Sequence, residues 1–489
     1  MLPLLSAQQV SSHKTAEDLW TVVDGTVYDL TDFAPEHPGG LDILLRYAGR
    51  DATAAYTAVH SLSLIKTTIP LSKHMGPLNP STVPTSWADS TPVPASASTA
   101  ARGRPNSQAK LDHNAKPPLN TLISAHDFAA AARATFPPKT RAFVTSAATD
   151  LHTYRRNSEA YSLIGLRPRI LQDVRSVSIS TTMLGHPLRT PIFLSPTSLG
   201  KTVHPEGEKE LGRACSVLGT AQVVSTSASF PLEEIISAIR SRRPPTAGGD
   251  EPPVPVFFQL YVDKNRAKSE ALLRGASQLG ISGLFLTVDA PVPGKREADE
   301  RLAADAGGAV SSPMTGAAAR GDAKGGALGR VMGGYIDAGV TWRDVDWLRA
   351  HLAPGTPIVL KGVQTAADAR LAAAAGVDAI VVSNHGGRSL DTAPATILVL
   401  LELQRCCPEV FDRMEVFVDG GIMRGTDVFK ALCLGAKAVG IGRGALYGLN
   451  YGEDGVKRYV ESELLPEGPG LPTVCWDLLP SFANRLSCE

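Results

Sequence analysis

Eight short apolar runs, rich in β-branched residues, recur between Pro191 and Arg443 with helical patterns between them. They are PIFLS (191–195), QVVST (222–226), VFFQLYV (256–262), GLFLTVD (283–289), PIVLKG (357–362), AIVVSN (379–384), VFVDGG (416–421) and AVGIGR (438–443). Runs without polar alternation are buried on both faces, a condition that a parallel sheet covered by its crossover helices provides. Eight of them predict a closed (β/α)8 barrel rather than an open doubly wound sheet. Most runs end in a polar residue: Gln259 and Tyr261, Thr287 and Asp289, Lys361, Asn384, Asp419, Arg443. The C-terminal strand ends are where a barrel collects its chemistry.

The barrel does not account for the whole chain. At 489 residues the protein is too long for one ordinary core, and its composition divides it. Residues 1–78 are mixed and patterned, whereas 79–118 are dominated by Pro, Ser, Thr and Ala and read as a flexible linker. Residues 119–489 form the larger unit. Within it, 241–255 looks like a surface insertion, and the Ala- and Gly-rich connection 301–335 is either disordered or a lid.

Charge excludes some partners. Lys plus Arg and Asp plus Glu both total 48, so no basic footprint for nucleic acid exists. No apolar run reaches membrane-spanning length, and no membrane partner is expected. The six cysteines (Cys215, Cys406, Cys407, Cys433, Cys475, Cys488) are scattered without a CxxC, as in a reducing compartment. The first ten residues lack a charged leader, so a cytoplasmic location is expected, with a mitochondrial one left open.

In the first domain, strand-like WTVV and TVYDL meet at an Asp24-Gly25 turn. Then comes His37-Pro38-Gly39-Gly40, in which proline sets the turn and glycines let the backbone pass close to a bulky planar group. His60 lies 23 residues after His37, beyond a helical segment containing Leu44, Leu45 and Tyr47. HPGG with a second histidine at this distance points to haem iron held by His37 and His60. Residues 1–78 resemble the cytochrome b5-like family, and KHMGPL (73–78) looks like its domain exit. The resemblance implies a small α+β domain with one haem b whose axial positions are both filled, suited to electron transfer.

The second domain resembles the FMN-dependent 2-hydroxy-acid dehydrogenase and oxidase family over about residues 119–460, which implies a TIM barrel carrying FMN. Ser383-Asn384-His385-Gly386-Gly387-Arg388 follows the sixth run. Oxidising a 2-hydroxy acid needs a base for a proton and a cation for the carboxylate, and His385 and Arg388 supply both on one loop. The resemblance makes His385 the catalytic base and Asp289 its partner. It makes Arg388 and Arg296 carboxylate ligands and Tyr261 a donor to the substrate hydroxyl. Lys361 is placed beside the anionic edge of reduced flavin, a reason for a lysine to end an apolar strand. Pro196, Thr197, Ser198, Ser225, Gln259 and Thr287 match flavin contacts. Asp419-Gly420-Gly421, Arg424, Gly442 and Arg443 lie in the loops after the seventh and eighth strands, where barrels often bind phosphate.

Two departures stand out. Aligning through Arg141-Ala142-Phe143-Val144 puts Phe143 where the family has a tyrosine that bonds the substrate carboxylate. Losing that donor is worth about 1–3 kcal/mol if the oxygen stays dry. A bulkier or more apolar 2-hydroxy acid thus stands beside lactate as substrate. After Leu464 the chain departs from the family's closing helices and oligomer-wrapping tail, which leaves a homo-oligomer open. The expected activity is oxidation of an L-2-hydroxy acid, with electrons leaving through haem to a one-electron acceptor such as cytochrome c. The alternatives are an oxidase that uses oxygen and a non-catalytic haem and flavin carrier.

Overall fold

A computed structural model of the chain describes residues 3–37, 41–84, 87, 116–168, 170–171, 178–242, 253–302, 311–316 and 328–464. The Pro38-Gly39-Gly40 segment, most of the linker, most of the 241–255 insertion, much of the 301–335 connection and the tail past Leu464 lie outside the described residues. The chain divides into two compact units between Lys116 and Pro117.

In the first unit four strands form an antiparallel sheet in chain order: β1 (Lys14–Thr15), β2 (Asp18–Val23), β3 (Thr26–Asp29) and β4 (His74–Pro77). Asp24 (φ 53°) and Gly25 (φ 70°) make the hairpin turn, both in the left-handed region that a two-residue turn between twisted strands requires. The sheet is apolar on both faces. Val22 and Val27 pack on Val10 of helix Ala7–Ser12, while Leu19, Val23 and Tyr28 pack with Ile65 and Ile69 under the histidine-bearing side. Tyr47 falls outside the helical segment expected for it. The helix Leu41–Arg46 ends before it, and the Tyr47 amide closes a turn on the Leu44 carbonyl.

The second unit is the expected barrel. After a hairpin of β5 (Thr181–Met183) and β6 (His186–Leu188), eight parallel strands close on themselves. They are β7 (Ile192–Leu194), β8 (Ala221–Ser225), β9 (Val256–Leu260), β10 (Gly283–Thr287), β11 (Ile358–Val363), β12 (Ala379–Val382), β13 (Glu415–Asp419) and β14 (Ala438–Ile441), with β14 paired to β7. The outer helices bury one stripe each, as Leu232, Ile235, Ile236 and Ile239 do along Leu232–Ser241.

The two-residue period of a strand sorts the barrel interior into layers. The lower layer is apolar: Phe193, Val223, Phe257, Phe285, Val359, Val381 and Phe417 pack together, with Met183 and Leu188 of the β5–β6 hairpin. Two residues further along comes the next inward position, polar on seven of the eight strands (Ser195, Ser225, Gln259, Thr287, Lys361, Ser383 and Asp419) and Gly440 on β14. A further two residues on, past the ends of β9, β10 and β12, stand Tyr261, Asp289 and His385. The aromatic layer is a packed floor, and the polar layer above it is the base of a site.

Candidate active site

In the first unit the His37 and His60 ring centroids lie 6.3 Å apart with their planes crossing at 72°. An imidazole nitrogen binds a metal at about 2 Å, and the ring centre lies about 1 Å behind it. Two ligands on opposite sides of one ion therefore sit about 6 Å apart. Phe33 packs on His37 at 5.8 Å and Tyr56 on His60 at 4.9 Å, and half-buried Leu41, Leu44, Leu45 and Leu62 lie around them. This centroid spacing, with aromatic side chains against both rings, fits two ligands of one haem iron.

In the barrel a cavity of about 400 Å³ opens at the C-terminal strand ends. Of the residues singled out in the sequence, Phe143, Pro196, Thr197, Ser198, Tyr261, Arg296, Lys361, His385, Arg388, Asp419, Gly420, Gly421, Gly442 and Arg443 line it. His385 is held from two sides. Its Nδ1 is 2.8 Å from Asp289 Oδ1, and its Nε2 is 3.4 Å from Tyr261 Oη. Gly362 (φ 116°) makes room for this pairing, since a Cβ there would meet the Asp289 Cβ at 2.5 Å.

Burial alone would raise the Asp289 carboxyl, but the charges of Lys361 and His385 outweigh it and hold the group at about 2. Burial lowers His385 below its ordinary value despite the adjacent Asp289 carboxylate, so the ring is neutral and basic near pH 7. Burial, then Asp289, pushes the Tyr261 phenol well up, and it remains a donor. His385 also takes a left-handed backbone (φ 58°), which costs a non-glycine residue about 1–2 kcal/mol.

Behind the ring lies a charged network. Lys361 Nζ is 2.9 Å from Ser383 Oγ, 3.4 Å from Asp289 Oδ2 and 3.6 Å from Asp419 Oδ2. Burial would lower this amine, but Asp289 and Asp419 outweigh it and raise it, so the ammonium persists. Ser383 Oγ donates to Asp419 Oδ1 at 2.6 Å and accepts the His385 amide at 3.1 Å. Ser383 lay inside the glycine-flanked loop motif with no role visible in sequence, because two of its three partners, Lys361 and Asp419, come from other strands. Asn157 and Asn384 exchange a reciprocal amide pair (2.9 and 2.8 Å) that fastens the His385 loop to helix His152–Ser162.

Three half-buried guanidiniums stand opposite. Arg388 Cζ is 5.2 Å and Arg296 Cζ 5.8 Å from the Phe143 ring centre, so the phenylalanine packs against both cations. Arg388 Nη1 donates to the carbonyls of Phe143, Val144 and Ser146, and Nη2 makes no bond among the described residues. Burial, then the charges of Arg296 and Arg443, holds Arg388 well below the usual arginine range. Mutually repelling cations around a cavity fit an anionic ligand.

Two expected phosphate contacts stand differently. Arg443 lines the cavity, but its guanidinium donates to the carbonyls of Val144, Ser146 and Gly386. Arg424, heading helix Gly425–Cys433, does not line the cavity. Ser225, Gln259 and Thr287 lie behind the wall: Ser225 Oγ is 3.2 Å from both Ser198 Oγ and Gln259 Oε1. Gln259 Nε2 and Thr287 Oγ1 are buried without a partner among the described residues, which costs about 1–3 kcal/mol each unless a ligand supplies one. A fixed ammonium and side-chain-free Gly420, Gly421 and Gly442 line a cradle that fits FMN, and the orphan polar atoms of Gln259 and Thr287 lie behind its wall.

Fold and site together define a flavin-dependent oxidoreductase with an attached haem domain. The chain belongs to the FMN-dependent dehydrogenase family, whose model matches residues 132–464, and a cytochrome b5-like heme/steroid binding domain matches residues 6–78. It is 39% identical over 464 residues to an L-lactate dehydrogenase (cytochrome) of Wickerhamomyces anomalus, covering 94% of this chain and 75% of that one. It is also 41% identical over 345 residues to a peroxisomal (S)-2-hydroxy-acid oxidase of Oryza sativa subsp. japonica, covering 70% and 89%. Among solved structures, a flavocytochrome b2 variant with benzoylformate superposes with TM-score 0.61 at 40% identity, covering 71% of this chain and 82% of that one. Mandelate oxidase with (S)-4-hydroxymandelic acid superposes with TM-score 0.62 at 32% identity, covering 70% and 92%. The cofactors are FMN and haem.

Proposed function

We propose that the protein oxidises an L-2-hydroxy acid, lactate or a bulkier analogue, to the 2-oxo acid and passes the electrons through haem to a one-electron acceptor such as cytochrome c. The observation that carries this reading is the His385–Asp289 pair opening onto the same cavity as Arg388 and Arg296.

In this reading Arg388 and Arg296 take the substrate carboxylate, turning the 2-carbon toward His385. Tyr261, held protonated, donates to the substrate hydroxyl. His385 Nε2 removes a proton, and Asp289 stabilises the imidazolium that results. Lys361 holds positive charge beside the flavin. FMN, which Lys361 and the Gly420, Gly421 and Gly442 backbone would hold, would supply a two-electron acceptor, and haem, which His37 and His60 would hold, would supply one-electron transfer to an outside acceptor. Phe143 offers the substrate an aromatic face where a tyrosine would offer a hydroxyl, which favours an apolar side chain.

The proposed division is a haem domain over 1–78, a linker over 79–118 and the flavin domain over 119–489. Cys215, Cys406, Cys407 and Cys433 are free thiols, which supports a reducing compartment such as the cytoplasm. No described helix is long and apolar enough to cross a membrane.

The test is anaerobic mixing with a panel of 2-hydroxy acids, followed at flavin and haem wavelengths. Haem that reduces after the flavin supports the scheme. Haem that stays oxidised while the flavin is reduced and reoxidised by oxygen sinks it in favour of an oxidase, the activity named for the rice relative.

A further inference from the structure

The left-handed backbone of His385 needs something to hold it, and one side chain is placed to do so. Ser383 is fully buried, and its single hydroxyl makes three short bonds. It donates to Asp419 Oδ1 (2.6 Å) and accepts from Lys361 Nζ (2.9 Å) and from the His385 amide (3.1 Å). A hydroxyl has one proton and two lone pairs, so Ser383 is saturated and its orientation is set.

We propose that Ser383 is a positioning residue that locks the His385 main chain and the Lys361 ammonium to one another, so that the base and the cation hold fixed places about Asp289. The inference rests on His385 acting as the base. The groups facing His385 are Asp289, Lys361, Arg388 and Tyr261, drawn from four loops or strands. None of them bonds the His385 amide, so Asp289 alone can orient the ring but cannot hold the backbone. With Ser383 removed, the amide loses its acceptor and the ammonium loses one of three partners. The ammonium then leans on Asp289 and weakens the carboxylate's support of the imidazole.

The experiment compares Ser383→Ala, Ser383→Thr and His385→Gln in the full-length enzyme loaded with both cofactors. Expected for Ser383→Ala is a fall in kcat of about tenfold or more with KM changed less than about threefold, since the substrate ligands are untouched. The acid limb of kcat/KM is expected to move to lower pH by about half a unit, because the imidazole loses carboxylate support. FMN binding to the flavin-free chain, read by fluorescence, is expected to weaken several-fold because Lys361 is no longer fixed. Ser383→Thr keeps the hydroxyl and restores the wild-type pH profile. If Ser383→Ala does not fold, Ser383→Cys fills the site with a weak acceptor and carries the same expectations. Wild-type kcat and an unmoved acid limb in Ser383→Ala overturn the inference. So does equal loss in the Ala and Thr variants, which reports bulk packing alone. Wild-type turnover in His385→Gln refutes the base itself rather than the role of Ser383.

Discussion

Asp289 bonds His385 through one carboxylate oxygen (2.8 Å) and approaches Lys361 with the other (3.4 Å), so one buried anion serves two cationic roles. Breaking it leaves the base without orientation and the ammonium without the nearer of its two carboxylates. In Asp289→Asn the expected loss in kcat is on the order of 10²-fold or more, with the amide free to favour the wrong imidazole tautomer. Steady-state kinetics with the best substrate check this, and activity within tenfold of wild type would contradict it.

The same carboxylate makes stability depend on acid. Its folded pKa, about 2, is below the ordinary aspartate value of about 3.9. A depressed pKa contributes stability that is fully present above about pH 4 and is lost as pH falls toward 2, on the order of 2 kcal/mol for this group. Urea denaturation of wild type and Asp289→Asn between pH 5 and pH 2 isolates the effect. The two curves are expected to converge at low pH.

For catalysis the relevant group is His385. Its lowered pKa keeps it unprotonated at neutral pH, so the acid limb of kcat/KM is expected below about 6.5, the ordinary histidine value. A limb above 7 in the free enzyme would mean that the base is stabilised as a cation, against this geometry.

Phe143 sits against Arg388 and Arg296 with no hydroxyl to offer a carboxylate. Phe143→Tyr is expected to lower KM for lactate by about threefold or more while leaving aryl or long-chain substrates less favoured. The ratio of kcat/KM for lactate to that for mandelate measures the change, and a constant ratio removes Phe143 from specificity.

His37→Ala removes one of the two histidine rings. The expected enzyme binds FMN and is reduced by substrate, yet it lacks the haem Soret band and has lost most turnover with a one-electron acceptor. Retained haem absorbance would show that another residue completes the site.

A buried ion pair supports the substrate side of the cavity. Lys139 Nζ lies 3.2 Å from Asp299 Oδ1, and Asp299 Oδ2 accepts the Gly329 amide at 3.1 Å. Together they join the segments that carry Phe143, Arg296 and Gly329, three lining residues. Asp299→Asn strands a buried ammonium and is expected to destabilise the fold by about 3–5 kcal/mol, measured by urea denaturation.

Several features follow from the order of residues alone. Unbroken apolar runs demand burial on both faces, and eight of them require a closed barrel. The inward polar residues at Gln259, Thr287, Lys361 and Asp419 are legible because strand side chains alternate with a period of two, whatever the rest of the chain does. The hairpin at Asp24-Gly25 and the two histidines beyond it are equally local signals. What depends on tertiary structure is how groups far apart in sequence meet. Pairing of β12 with β11 and β13 brings Ser383 to Lys361 and Asp419, and packing of helix His152–Ser162 brings Asn157 to Asn384, across separations that no periodicity encodes. The fold also turns Arg443 onto the carbonyls beside Phe143 and leaves Arg424 off the cavity wall, although the two arginines occupy similar glycine-rich loops. Local sequence determines which side chains face inward, because alternation is a property of the strand. Which of them touch is decided by the cyclic order of the strands and the paths of their loops, and only the folded barrel contains that information.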